Sequence, residues 1–332
     1  MKRNIYKVMC LIALAMIVGA MPSCSGNDDD KVQGEPVDIV RLDSILGDFA
    51  TLDNSAAAKV FAEDSSLIVA QLQVMGADSA DLAAVRELSS SLAVRMFAPQ
   101  TRRLLPSLAH EQQALGNIIA RADKQGINLP SRRYVATVWG RPESIVVNGD
   151  VVLIALNHYL GSGHEAYAGW PEYQRRLKDR RFLPYDMAEA LLGIERPYAP
   201  KRKPMVLSRL LYEGAMAHAK MQLTDSASLA DVLGVTDREL TDMAANRKFM
   251  YERLLSGDML HSTDQAVMDQ LFAPAPVCTL ISPKAPGRAV RLLGYDIVTA
   301  WLEKHPQATL NDLLTPAFYD SESTFADSGY QI

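Results

Sequence analysis

The sequence predicts an α+β fold, predominantly helical, with a small antiparallel sheet at its centre. Three observations carry this. Apolar residues recur three and four apart from Arg41 to about Arg132, β-branched runs flank Asn148-Gly149, and helical spacing returns after Gly163. With 332 residues, 48% of them hydrophobic, the chain is long enough to bury a substantial core.

In the first region, "DLAAVRELSSSLAVRMF" and "LAHEQQALGNIIARADKQG" lay their apolar side chains along helical stripes. Gly126 closes the second where a left-handed cap is favoured, so three or four helices are expected there. The period then changes to that of strands. "RRYVATVWGR" and "ESIVVNGDVVLIALNHYLG" hold β-branched runs on both sides of Asn148-Gly149, a pair suited to the positive φ of a two-residue hairpin turn, so three or four antiparallel strands are expected. Helices follow at roughly 184–194, 204–223, 236–255, 264–272, 289–304 and 308–314. Pro204 suits a first turn, Thr236 with Glu239 makes a capping box, and Pro306 stops a helix just after Lys304. No internal repeat interrupts this order, and residues 37–332 are read as one domain.

The first 23 residues have the pattern of an export signal: Lys2, Arg3 and Lys7 precede the apolar run "VMCLIALAMIVGAM", which is short for a membrane span. "PSCSGNDDDK" follows. A cysteine after small residues at this place resembles the lipobox of bacterial lipoproteins, which implies cleavage before Cys24 and a lipid bilayer as partner through the acylated thiol; plain secretion with a free Cys24 is the alternative. Met21 and Pro22 depart from the usual lipobox. Residues 24–36 read as a polar, acidic tether too poor in apolar groups to pack. Its aspartates, Asp28 to Asp30, either serve as an export signal to the outer membrane or keep the tether solvated. The expected location is the cell envelope, with a lipid anchor in the outer membrane.

Removing residues 1–23 takes three basic residues and no acid, leaving 31 Lys and Arg against 39 Asp and Glu, a formal charge of −8. That balance argues against nucleic acid and against a polybasic membrane patch. Cys10 leaves with the signal, so Cys278 stands alone once Cys24 is acylated and no internal disulfide is expected.

"RLLYEGAMAHAK", residues 209–220, has the outline of a zinc-peptidase helix without its ligands. Such a helix needs His-Glu-x-x-His, because two imidazoles one turn apart grip the metal while the glutamate beside the first polarises water. With the glutamate registered on Glu213, the ligand positions hold Tyr212 and Met216, and neither binds zinc usefully. Of the six histidines no two are four apart. His218 is read as packed and hydrogen-bonded, and Glu213 as the partner of Arg209 one turn earlier. No nucleophile elbow, phosphate-binding loop, dinucleotide fingerprint or paired-cysteine motif is present, so neither a metal nor a cofactor is expected.

Taken in order, "VDIVRLDSIL", "LNHYLGSGHEAYAGWPEYQRRL", "LLYEGAMAHAKMQL", "PGRAVRLLGYDIVTAWLEKHP" and "LNDLLTPAFYDSESTFADSGY" make the chain resemble the gliding motility lipoprotein GldB family of the Bacteroidota, over nearly all of the mature sequence. The resemblance implies a zincin-like fold kept as a scaffold with its zinc site degraded. Two departures bear on that. Ala215 stands where the family helix usually has lysine, and Arg247 follows Asn246 where members often carry Asn-Glu at the place of a third ligand.

The leading expectation is a non-catalytic, lipid-anchored envelope protein that binds an envelope protein or peptide. His158, Tyr159, His164, His218 and Tyr295 are candidates for a cleft, and Tyr167, Trp170 and Tyr173 add aromatic rings near the strand "VVLIAL". The alternative is a zinc-dependent hydrolase with an unconventional site drawn from His158, His164, Glu165, Glu213 and His218. A glycan-binding role is disfavoured by only three tryptophans and no repeated sandwich strands.

Overall fold

A computed structural model describes residues 32–331. The signal segment, Cys24 and the tether up to residue 31 lie outside the described residues. From β1 (Ile39–Arg41) the chain enters six helices: α1 (Leu42–Phe49), α2 (Asn54–Glu63), α3 (Ser65–Val74), α4 (Leu82–Ser90), α5 (Leu92–Leu104) and α6 (Ala109–Lys124). Six rather than three or four arise because polar residues cut the apolar runs. Ser91, extended at φ −60° and ψ 153°, ends α4 and caps α5 by accepting from the Val94 N–H.

Three strands follow: β2 (Arg133–Thr137), β3 (Ile145–Asn148) and β4 (Val151–Ala155). The hairpin of β3 and β4 is antiparallel, but its turn sits one residue later than Asn148-Gly149: Asn148 pairs with Val151, leaving Gly149 and Asp150 as the loop. Only Gly149 has positive φ, 59°. The sheet is mixed, not antiparallel. In the order β1-β2-β4-β3, β1 and β4 both run parallel to β2, and β3 is the antiparallel edge. The six helices after β1 carry the chain back to the start of β2, as a parallel pair requires. Strand β4, "VVLIA", is buried at every position, the continuous apolar run of a strand covered on both faces.

Alternate strand residues serve two cores. Val135, Leu153 and Ala155 pack with Leu42, Leu46 and Phe49 of α1 on one face, while Tyr134, Ala136, Val152 and Ile154 join the larger core on the other. That larger core is built from α6 and the second half of the chain: α7 (Leu183–Glu195), α8 (Val206–Thr224), α9 (Leu229–Leu233), α10 (Asp237–Ala245), α11 (Arg247–Leu255), α12 (Gln265–Phe272), α13 (Val290–Lys304) and α14 (Glu322–Ser328), with one-turn pieces between. The span expected as one helix over 236–255 breaks at Asn246, whose side-chain amide takes the Asp242 carbonyl at 2.7 Å.

Helix α8 is sheathed on nearly all sides, with 15 of its 19 residues buried. It crosses α13 backbone against backbone: a Cβ on Gly214 would stand 2.2 Å from the Gly294 carbonyl oxygen, and one on Gly294 would meet that of Leu210 at 2.4 Å. At the other end of the described chain, the tether already packs before residue 36. Gly34 donates its N–H to the Asn117 side chain at 3.0 Å, and Gly34 and Gly116 lie backbone to backbone, so the described end of the stretch read as a solvated tether docks on α6.

Candidate functional site

The positions that match a zinc-peptidase motif are occupied by packing and by ion pairs. The Tyr212 hydroxyl donates to the Arg196 carbonyl at 3.0 Å, and Met216 is buried. Glu213 is held from two sides: Arg209 Nε donates to Oε1 at 2.9 Å, and Arg291 Nε, arriving from α13, lies 3.0 Å from Oε2. The second partner is invisible in local sequence. Arg247 has its own partner too, Asp296 of α13, at 2.8 Å.

The five candidate cleft residues separate into different places. His218 stacks on Tyr295 across the crossing of α8 and α13, ring centroids 4.1 Å apart, with Nε2 3.0 Å from the Thr299 hydroxyl. Burial lowers its pKa to about 4, so it is neutral near pH 7. His164 Nδ1 accepts from the Ala166 N–H at 3.2 Å, a local turn contact. Tyr159 is buried and donates to Asp186 Oδ2 at 2.7 Å. His158 Nδ1 lies 2.9 Å from Ser144 Oγ and 3.3 Å from Lys178 Nζ, under the edge of Trp170. A serine hydroxyl against an imidazole is half of a nucleophile–base arrangement. Burial, with the Lys178 charge adding to it, brings the His158 pKa to about 3, which makes this imidazole a weak base. Tyr167 turns inward, its hydroxyl on the Asn157 carbonyl at 2.6 Å, so that ring packs the loop onto the core. Among the described residues no three His, Cys, Asp or Glu side chains gather as a metal site.

The feature that sequence reasoning missed is a cavity of about 310 Å³. Its walls come from Ser144 at the start of edge strand β3, Asp186 and Glu189 on α7, Lys220 on α8, and Arg288 and Arg291 at the entry to α13. Of the expected cleft residues, His158 reaches it through Ser144 and Tyr159 through Asp186; Tyr173 lines it directly.

Charge pairing inside the cavity is uneven. Lys220 Nζ sits 2.6 Å from Glu189 Oε2. Glu189 keeps 47% of its side-chain surface open, yet Lys220 first, with Arg291 and Arg288 behind it, outweighs burial and holds its carboxyl at about 2. Because that carboxylate meets solvent, screening trims the attraction. Asp186 shifts the other way. Burial pushes it up to about 6, the Glu189 charge adding to the rise, against the Tyr159 hydrogen bond and the charges of Lys220 and Lys178. No residue motif marks this site, because its charges come from three helices far apart in the chain; "RAVR" at 288–291, two arginines three apart, is the nearest thing to a local sign.

A family model described as gliding motility protein GldB matches residues 25–332. The chain belongs to the GldB family. Membership makes this GldB relative a gliding motility protein at the level of family, with a cell-envelope location. Among the described residues no helix is long and apolar enough to cross a membrane. No curated protein and no solved structure matches the chain.

Proposed function

We propose that this GldB-family protein is a lipid-anchored, non-catalytic envelope component that works by binding an envelope protein or peptide. The observation that carries the reading is the state of the motif helix. Its would-be ligand positions, Tyr212 and Met216, point into packed core, and Glu213 is neutralised between Arg209 and Arg291, where a general base would need to face an open metal and water. A zincin-like origin of the scaffold belongs to the same reading. The peptide-binding part of the reading is supported by the antiparallel edge strand β3 of the sheet, whose start borders the charged cavity and whose free edge can pair with an extended peptide.

One preparation tests both halves. The native chain is extracted from membranes and a Cys24→Ala variant is purified from the soluble fraction, and the metal content of each is measured by mass spectrometry. The expected result is membrane association that depends on Cys24 and no stoichiometric zinc in either protein. Near-stoichiometric zinc would replace this reading with that of a metal-dependent hydrolase, and a Cys24→Ala protein that still sediments with membranes at high salt would end the anchor.

A further inference from the structure

We propose that the cavity walled by Arg288 and Arg291 is a carboxylate-binding site, which takes the C-terminal or side-chain carboxylate of a peptide segment of the partner. Arg291 is 3% exposed, and neither its Nε nor one terminal nitrogen, Nη2, has a hydrogen-bond partner among the described residues. The other terminal nitrogen reaches only the Leu233 carbonyl, at 3.5 Å. Its near neighbour Glu213 lies within ion-pair distance of Nε but out of line for a hydrogen bond, and is shared with Arg209. Those two nitrogens are shut off from the cavity space, so Arg291 gives the wall a fixed positive charge, and the donors open to a ligand are those of Arg288.

Arg288 is the second half of the site. It spends one donor, Nε, on the Phe272 carbonyl at 3.0 Å, and no carboxylate lies within ion-pair distance of it among the described residues. Burial, and then the like charge of Arg291, pull its pKa below the usual arginine value, which is the electrostatic sign of an anion wanting. Its backbone is also held at φ 63°, unusual for a side chain of this size. The remaining charges of the cavity are committed: Lys220 to Glu189, Arg176 to Glu239 at 2.7 Å, Asp231 to Arg181 at 3.4 Å, and Asp186 to the Tyr159 hydroxyl.

The chemistry of the anion follows from shape and charge. A guanidinium fork matches the two oxygens of a planar carboxylate. Four basic residues, Arg176, Lys220, Arg288 and Arg291, face three acids, Asp186, Glu189 and Asp231, so the walls suit an anion, and the planar fork is what favours a carboxylate. A volume of about 310 Å³ accepts a group the size of one or two residues, with Ser144 and Ile145 of the β3 edge alongside for backbone contact.

This inference rests on the partner-binding reading, and titration calorimetry on the full chain separates the two. The probes are N-acetyl-Ala-Leu with a free carboxylate, the same dipeptide as its C-terminal amide, and inorganic phosphate. The acid is expected to bind at least tenfold more tightly than the amide. Arg288→Gln is expected to remove that difference and Arg288→Lys to restore part of it, with circular dichroism melts confirming that both variants fold. Equal affinity for acid and amide, no binding of the acid, or an unchanged preference in Arg288→Gln overturns the carboxylate site while leaving partner binding elsewhere intact. Phosphate binding more tightly than the acid overturns the choice of anion. Zinc in the purified protein would instead remove the partner-binding reading and leave this titration to stand by itself.

Discussion

At the residue scale, Glu213 carries the difference between a degraded catalytic helix and a structural one. An exposed Arg209–Glu213 pair one turn apart would contribute only a few tenths of a kcal/mol. Here Glu213 is 9% exposed and is the only carboxylate in ion-pair distance of Arg291 among the described residues, so removing it strands a buried positive charge. Glu213→Ala is expected to lower stability by roughly 3 kcal/mol, read as a shift of the urea unfolding midpoint. A change under about 0.5 kcal/mol would show that the pair is screened and Glu213 is free for another role. The reading of His218 as a packed, hydrogen-bonded histidine came from its place on an apolar helix face, and it sits so, stacked on Tyr295. The Arg291 partner was not legible, because nothing near either residue in the chain announces a contact made across two helices.

At the scale of elements, helices were the most legible part. The helices read at 184–194, 204–223, 264–272 and 289–304 are found as Leu183–Glu195, Val206–Thr224, Gln265–Phe272 and Val290–Lys304. Their caps and apolar spacing are local properties. Strand direction is not local. β4 pairs with β3 on one side, which the turn at Gly149 requires, and with β2 on the other, because the hairpin docks with β4 rather than β3 against β2, a choice that no turn sets. The one sign available was "VVLIA" itself, apolar without alternation, which suits a strand covered on both faces. The crossing of α8 and α13 yields a paired prediction. Gly214→Ala forces a methyl into the Gly294 backbone and is expected to cost about 2 kcal/mol or more, whereas Gly193→Ala in α7, with no atom within 4 Å of the added carbon, is expected to gain about 0.5–1 kcal/mol. Thermal melts of the two variants check the contrast; equal effects would mean that the two helices slide apart at no cost.

At the scale of the whole molecule, buried titrating groups set how stability responds to pH. His158 and His218 titrate at about 3 and about 4 in the fold, against 6.5 when exposed, so the stability they leave intact above 6.5 is lost as the pH falls toward those values. Asp186 opposes them. Its pKa of about 6, against 3.8 exposed, gives a contribution that is present below 3.8 and lost as the pH rises through 6. Near pH 5 two histidines outweigh one aspartate, and unfolding takes up about one net proton from these three groups. Stability is expected to fall from pH 6.5 to 5 by roughly 1 kcal/mol per pH unit, measured by urea denaturation at several pH values. A rise over that interval would mean that Asp186 dominates and that the two imidazoles are less buried than the structure has them.

By itself the sequence determined the helical segments, the central hairpin, the ligand-free motif helix and the family resemblance, because periodicity, capping and residue identity at a motif position are properties of short stretches. Tertiary structure alone decided the parallel body of the sheet, the embrace of Glu213 by two arginines, and the charged cavity that brings Asp186, Glu189, Lys220, Arg288 and Arg291 together. Each of these depends on where segments far apart in the chain come to lie. Long-range packing sets those distances, and no local pattern encodes them.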